Sequence, residues 1–141
     1  MTERSKQAIG NITPSLVYRD ADAAIEWLVR VLGFEVRFLA RNDAGRLQHC
    51  ELTLEGGCIM VSHANAERGW KSPLDLGGTP QINCVFVSDV DARHAHAQAQ
   101  CAEIIEALRD TPYGSRDFGV RDPEAHQWWI GTYRPGAYWE S

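Results

Sequence analysis

The sequence predicts an α+β fold built from two modules, each with the element order βαβββ. Its 141 residues suit one globular domain with a single core. Helical and strand-like periodicities alternate along the chain, and a polar segment rich in glycine and proline divides them into two halves. The second half repeats the element order of the first at an offset of 69 residues, the spacing of Asp20 and Asp89. Such a repeat is typical of units that share a core.

The first module is predicted to span residues 11–63. The Asp20 carboxylate is expected to cap a helix over 21–32, because it can accept hydrogen bonds from the free amides of the first turn. Gly33 follows the apolar helical periodicity and is expected to end that helix. The predicted strands of this module cover residues 12–18, 34–38, 47–54 and 58–62.

The second module is predicted over residues 81–134, after a linker at 64–80. Asp89 is expected to cap an alanine-rich helix over 90–101. Asp122 and Pro123 open a turn between the last two strands. The predicted strands of this module cover residues 82–87, 103–108, 118–121 and 127–133.

Composition excludes several classes of function. The formal net charge is −5 and no basic tract occurs, so a nucleic-acid partner is not expected. No apolar run approaches the ~20 residues of a membrane span, and residues 1–10 lack the apolar stretch of a secretory signal. A cytoplasmic location without a membrane partner is therefore expected. The four cysteines form no C-x-x-C pair and are predicted to be buried free thiols.

A series of short sequence strings has a characteristic order and spacing. They are LVYRD at 16–20, AAIEW at 23–27, LGF at 32–34, VSDVDA at 87–92, PYG at 112–114, VRDP at 120–123 and HQWW at 126–129. Together they resemble the vicinal-oxygen-chelate superfamily of glyoxalases, bleomycin-resistance proteins and dioxygenases. Within it, the chain looks like the PhnB-like and bleomycin-resistance-like small proteins. The resemblance covers residues 12–133.

This resemblance implies that the two modules form curved mixed sheets around a cavity, and that two chains pair as a homodimer. It also implies a metal site with one ligand from the first and last strand of each module. These positions carry Thr13, Met60, Ile82 and Trp129. Hard cations need oxygen ligands, and borderline cations favour imidazole or thiolate. We therefore expect no metal of the family type and no other cofactor.

His49 and Glu51 are the candidate catalytic residues. Strand alternation places both on one face of the strand at 47–54, away from an apolar face that suits packing under a helix. Two interpretations stay open. The carboxylate could orient the imidazole for proton transfer in the cavity, or the two side chains could form an ordinary solvated contact on a half-exposed sheet.

Aromatic side chains dominate the predicted ligand site. The alternative is that these rings fill the core, which a two-module domain also requires. Arg116 is predicted either to meet an anionic ligand group or to pair with Asp117 or Glu103. His94 and His96 are predicted to face solvent. The candidate ligand-binding residues are Phe38, His49, Glu51, Met60, Ser62, Trp70, Phe86, Tyr113, Arg116, Phe118 and Trp129.

The sequence therefore favours a binding protein that sequesters a hydrophobic or aromatic small molecule, such as an antibiotic or another natural product. The alternative is a lyase, isomerase or dioxygenase. It would use either a displaced metal site or metal-free acid–base chemistry at His49 and Glu51.

Overall fold

A computed structural model describes residues 10–135. These residues form two compact units that divide between Ser72 and Pro73, inside the predicted linker. The first unit contains β1 (Ser15–Tyr18), α1 (Ala21–Trp27, continued by a π-helical segment at Leu28–Leu32), β2 (Glu35–Arg41), β3 (Leu47–Leu54) and β4 (Gly57–His63). The second contains α2 (Pro73–Leu76), β5 (Asn83–Phe86), α3 (Val90–Ala99), β6 (Glu103–Asp110), β7 (Arg116–Arg121) and β8 (Gln127–Gly131). The predicted absence of a secretory signal concerns residues that, apart from Gly10, lie outside this range.

The predicted α+β fold and the βαβββ order of both modules are confirmed. The strand order is β1-β4-β3-β2 in the first sheet and β5-β8-β7-β6 in the second. In each sheet the first and last strands pair in parallel and the other neighbours are antiparallel, so both sheets are mixed. No helix within residues 10–135 combines the length and hydropathy that crossing a membrane requires.

The helices α1 and α3 both begin at the predicted caps. Asp20 Oδ1 accepts a hydrogen bond of 3.0 Å from the amide of Ala23, and Asp89 Oδ1 accepts one of 3.0 Å from the amide of Ala92. Gly33 ends the first helix in the left-handed conformation, with φ of 83°. The linker is more ordered than predicted, because it contains α2 and a bridge between Asn65 and Trp70.

The core of each unit lies between its helix and one face of its sheet. Alternate residues of the strands are buried there, such as Cys50 and Leu52 of β3 and Val120 of β7. Phe118 belongs to this core, since it is fully buried and its ring meets His94 edge-on at 5.0 Å. The prediction of a ligand contact for Phe118 is therefore wrong, and His94 is half-buried against Phe118 rather than fully solvent-facing. His96 is exposed as predicted.

The 69-residue repeat holds for the parallel strand pair at the edge of each sheet but shifts by one residue in β7. Ser15 lies opposite Met60 and Cys84 opposite Trp129, which preserves the offset of 69. Glu51 also lies opposite Met60, whereas Gly119 lies opposite Trp129, an offset of 68. The open face of the second sheet, the face away from α3, therefore has Gly119 where the first has Glu51.

Candidate functional site

His49 and Glu51 meet on the open face of the first sheet, the face away from α1. Their Nε2 and Oε2 atoms are 2.7 Å apart. The guanidinium of Arg37 lies 3.8 Å from the other oxygen of Glu51, and the Phe38 ring lies 5.9 Å from the imidazole. The side chains of His49 and Glu51 remain 42% and 31% exposed, so the contact is solvated. The geometry allows the carboxylate to orient the imidazole.

A cleft of about 470 Å³ opens beside this pair in the first unit. Four of the predicted ligand residues line it together: His49, Met60, Ser62 and Trp70. Within the cleft the hydroxyls of Ser62 and Ser15 are hydrogen-bonded to each other. This lining combines an imidazole, hydroxyls, a thioether and an indole, and it offers both polar and apolar contacts.

A tight loop holds Trp70 at this cleft. Asn65 and Trp70 exchange two backbone hydrogen bonds of 2.9 Å each. The Asn65 side chain accepts from the amide of Arg68 at 3.2 Å, and the Arg68 guanidinium lies 5.2 Å from the centre of the Trp70 indole. The loop thus holds at the cleft an aromatic side chain that the sequence predicted as a ligand contact within the linker.

His63 is a cleft residue that sequence reasoning missed. It ends β4, lines the same cleft as His49, and its Nε2 is buried without a hydrogen-bond partner among residues 10–135. The hydrogen bond from Arg41 lowers the pKa of Asp22, and the nearby charge of His63 adds to this effect. Alternation along β4 places His63 on the face of Val61, which packs under α1, so the sequence pattern did not indicate a cleft residue.

A second cleft, of about 310 Å³, lies on the open face of the second unit. Trp129 lines it together with Cys84, Tyr113 and Tyr133. The indole lies against Gly119, where an added Cβ would be 3.2 Å from its Cε3 atom. The indole nitrogen of Trp129 is buried and has no hydrogen-bond partner in the part of the chain that the structure describes.

A rigid turn presents Tyr113 to this cleft. The Thr111 hydroxyl accepts from the Ser115 amide at 3.0 Å and lies 2.8 Å from the Ser115 hydroxyl. Gly114 has a φ of 88°, which favours glycine at that position. Tyr113 then meets Tyr133 edge-on at 5.7 Å. The two predicted residues Tyr113 and Trp129 are therefore brought together, and Tyr133 is an addition.

Two arginines of this unit are held by carboxylates. Arg109 pairs with Glu106 at 2.9 Å and with Asp117 at 3.0 Å. Arg116 pairs with Asp91 at 3.0 Å and with Asp110 at 3.1 Å.

The predicted partners of Arg116, Asp117 and Glu103, are therefore wrong. Asp117 is the next residue along the strand and points to the opposite face, while Glu103 pairs with Arg121 at 2.5 Å. Arg116 is also not among the residues that line the cleft.

Phe86 lies beside the second cleft rather than in its lining. It is half-buried, and the guanidinium of Arg134 stacks on its ring at 4.0 Å. Such a contact combines cation–π attraction with apolar burial. Phe86 thus already has a stacking partner within the chain.

The thiols of Cys50, Cys58 and Cys84 are poor nucleophiles, because their pKa values are raised. Burial raises the pKa of Cys50 to about 11. Partial desolvation of the Cys84 thiol, followed by the charge of Asp117, raises its pKa even though the residue as a whole is exposed. All four thiols are free, but Cys84 and Cys101 are exposed, which corrects the prediction that the cysteines are buried. The thiol at the second cleft is therefore neutral near pH 7.

The residues at the family's metal positions do not fit a metal. Met60 lies beside Ser15 and offers a thioether, and Ile82 is 53% exposed and offers no donor atom. Thr13 contributes a neutral hydroxyl, and Trp129 contributes an indole whose nitrogen is a donor only. Within residues 10–135, no group of three or more His, Cys, Asp or Glu side chains is arranged to hold a metal ion.

Comparison with known proteins shows the family. The family model described as the Glyoxalase/Bleomycin resistance protein/Dioxygenase superfamily matches residues 8–130. The uncharacterized protein Mb0911c of Mycobacterium bovis is 35% identical over 125 residues, which cover 85% of this chain and 81% of that protein. The uncharacterized protein Rv0887c of Mycobacterium tuberculosis H37Rv is also 35% identical over 125 residues, with 72% of its length covered.

Solved structures agree with this assignment. TioX from Micromonospora sp. ML1 is 33% identical, with a TM-score of 0.70 over 89% of this chain and 99% of that chain. A protein of unknown function from Agrobacterium tumefaciens C58 is 21% identical, with a TM-score of 0.66 over 91% and 97% of the two chains, and shows the same fold. The narrower PhnB-like assignment stays a prediction. The chain belongs to the Glyoxalase/Bleomycin resistance protein/Dioxygenase superfamily.

Proposed function

We propose that this protein binds a hydrophobic or aromatic small molecule, such as an antibiotic or another natural product, and holds it without the metal of its family. The observation that carries the proposal is the cleft of the second unit, where Trp129, Tyr113 and Tyr133 line about 310 Å³. Small-molecule sites are typically concave, of ~300–1,000 Å³, and lined by aromatic side chains with a few polar groups. Aromatic rings also stack well on planar ligands.

Binding without turnover suits the chemistry of this cleft. The Cys84 thiol is neutral, because partial desolvation raises its pKa, and Arg109 is paired with two carboxylates. Neither group is free to act as a nucleophile or an acid. A site that encloses its ligand and leaves it unchanged would serve to sequester it.

A thermal-shift screen tests this proposal. The full chain is mixed with planar aromatic natural products and antibiotics, and with aliphatic compounds of similar size as controls. A ligand that binds only the folded state stabilises it by RT ln(1 + L/Kd), where L is the free ligand concentration, so the melting temperature rises with the logarithm of that concentration once it exceeds Kd. We expect aromatic compounds to stabilise the wild type and to lose this effect in Tyr113→Ala. The proposal fails if no aromatic compound stabilises the folded protein more than its aliphatic control does.

The expected homodimer, the cytoplasmic location and the absence of nucleic-acid partners belong to the same proposal. In the homodimer two copies of the chain would pair, and each would carry its own cleft in the second unit. Sedimentation equilibrium tests this pairing. A mass of one chain at all concentrations up to 100 times the assay concentration would contradict it.

A second candidate is an enzyme that uses His49 and Glu51. The 2.7 Å contact between their side chains favours it, because a carboxylate that orients an imidazole is a common arrangement in acid–base catalysis. If a substrate is found, His49→Ala should abolish turnover, and Glu51→Gln should reduce it while keeping the hydrogen bond. Elemental analysis of protein purified without chelators tests the metal-dependent version, in which His49→Ala should remove a stoichiometric divalent metal.

A further inference from the structure

We infer that the cleft of the first unit is a second ligand site, and that it takes an organic anion with a flat apolar body, such as an aromatic carboxylate. The carboxylate would bind Arg46, and the ring would lie against Trp70. The inference does not rest on the proposed function, because it needs no ligand at Trp129 or Tyr113.

The first step concerns the charge of the lining. Among the described residues, the first cleft is lined by Arg46 and two histidines, His49 and His63, but by no carboxylate. The chain as a whole carries a formal net charge of −5, so this lining departs from the overall charge of the molecule. Glu51 touches the lining through His49, and Arg37 lies 3.8 Å from its other carboxylate oxygen. The cleft therefore favours an anion over a cation.

The second step concerns an unpaired cation. Other arginines of the chain hold carboxylates, as Arg41 holds Asp22 at 2.6 Å. Arg46 has no carboxylate partner among residues 10–135, and Asp43, the acidic residue of the same turn, does not line the cleft. The backbone of Arg46 is fixed, since its amide donates to Asn42 Oδ1 at 2.9 Å and its carbonyl accepts from the Asn42 amide at 2.9 Å. Its guanidinium is thus available to bind a carboxylate with two parallel hydrogen bonds.

The third step concerns the apolar wall. Trp70 is 42% exposed and lines the same cleft. Its loop is closed by two backbone hydrogen bonds with Asn65, and the Arg68 guanidinium lies 5.2 Å from the centre of its indole. Glu67, the acidic residue of this loop, does not line the cleft. An indole held in this way stacks well on a planar ring, so the cleft selects an anion that carries one.

Hydroxyl donors complete the lining. The hydroxyls of Ser15 and Ser62 are hydrogen-bonded to each other. That bond uses one of their two hydrogen atoms and leaves the other for an acceptor. An oxygen of a ligand in the cleft can take this second hydrogen atom, which again favours a ligand rich in acceptors.

A titration that reports on this cleft alone tests the inference. Three probes are added to the full chain, and the indole N–H signal of Trp70 is followed by NMR. The chain has five tryptophans, whose signals can be assigned by Trp→Phe variants. The probes are 2-naphthoate, its neutral isostere 2-naphthamide, and acetate, which is an anion without a ring. Following Trp70 separates this cleft from any ligand that binds at Trp129.

We expect 2-naphthoate to bind about three- to fivefold tighter than 2-naphthamide at low ionic strength, which is the effect of one exposed ion pair. Added salt should shrink this advantage, because it screens exposed charges. The advantage should disappear in Arg46→Gln. It should persist in the matched control Arg30→Gln, which removes a surface arginine that is paired with Glu26. Acetate should leave the Trp70 signal unchanged at the concentration at which 2-naphthoate saturates it, because acetate cannot stack on the indole.

The outcomes are distinguishable. A Trp70 signal that does not respond to 2-naphthoate, equal affinity of 2-naphthoate and 2-naphthamide, an advantage that persists in Arg46→Gln, or saturation by acetate would overturn the inference. A shift confined to Trp129 would place the probe in the second cleft, which overturns the inference and leaves the proposed function standing. Conversely, a Tyr113→Ala variant that keeps its thermal stabilisation by aromatic compounds would contradict the proposed function and leave this inference intact. The melting temperature of Arg46→Gln verifies that the variant is folded.

Discussion

Asp122 fixes the turn that sends Trp128 into the core and Trp129 to the cleft. Asp122 is 2% exposed. Oδ1 accepts from the amides of Glu124 and His126 at 3.0 Å each, and Oδ2 accepts from the Trp128 indole at 3.1 Å. Asp122→Ala leaves three buried donors without this acceptor. At about 1–2 kcal/mol for each donor, the free energy of unfolding should fall by about 3–6 kcal/mol.

Urea denaturation followed by fluorescence measures this loss as a lower midpoint with an unchanged slope. Asp122→Asn should cost less than Asp122→Ala, because its amide oxygen can still accept from two backbone amides. Trp128→Phe should lose part of the same energy, and the double variant should show a coupling of about 1 kcal/mol or more. A cost below about 1 kcal/mol for Asp122→Ala would refute the claim that this carboxylate holds the turn.

Three further predictions concern stability and can be checked by the same denaturation assay. Gly131→Ala should lower the free energy of unfolding by about 1–3 kcal/mol, which is more than Gly119→Ala. The added Cβ would lie 2.5 Å from a backbone oxygen at Gly131, but 3.2 Å from side-chain atoms at Gly119. Equal costs for the two variants would contradict this prediction. Asp20→Ala and Asp89→Ala should each cost about 1 kcal/mol, and a loss at only one cap would argue against equivalent modules. The pKa of Cys50 is raised from 9.0 to about 11, so its thiol ionises first in the unfolded state and stability falls as pH rises from 9 towards 11. Cys50→Ala should remove about 2 kcal/mol of that fall, and parallel pH curves for the two proteins would contradict the assignment.

The fold could be predicted because its signals are local. Apolar and polar residues alternate from Cys50 to Leu54, and β3 has the predicted bounds of 47–54. Asp20 and Asp89 marked both helix starts, because an N-cap needs only a side chain and the amides of the next turn. The longer β2 and β6 were under-predicted, since their ends depend on pairing with β3 and β7 rather than on their own residues.

The candidate site could be predicted only in part, because its geometry depends on pairing between distant residues. His49 and Glu51 were found, since they are two positions apart on one strand. Phe118 was wrongly predicted as a ligand contact. The turn between β7 and β8 is longer than the turn between β3 and β4, which shifts the repeat by one residue in β7. A shift of one residue moves a side chain to the opposite face of the sheet.

The partners of Arg116 were wrong for a related reason. They lie on α3 and at the end of β6, which no local pattern connects to that residue. The unpaired N–H of Trp129 could not be predicted from the sequence, because whether a donor is paired depends on the positions of all the atoms around it.

The central claim is that the cleft of the second unit holds an aromatic ligand without a metal. A crystal structure of the full chain, purified without chelators and soaked with the tightest ligand from the thermal-shift screen, tests it most directly. The account predicts an organic molecule against Trp129 and Tyr113. A metal ion coordinated near Met60 or Trp129, or a ligand bound away from this cleft, would contradict it.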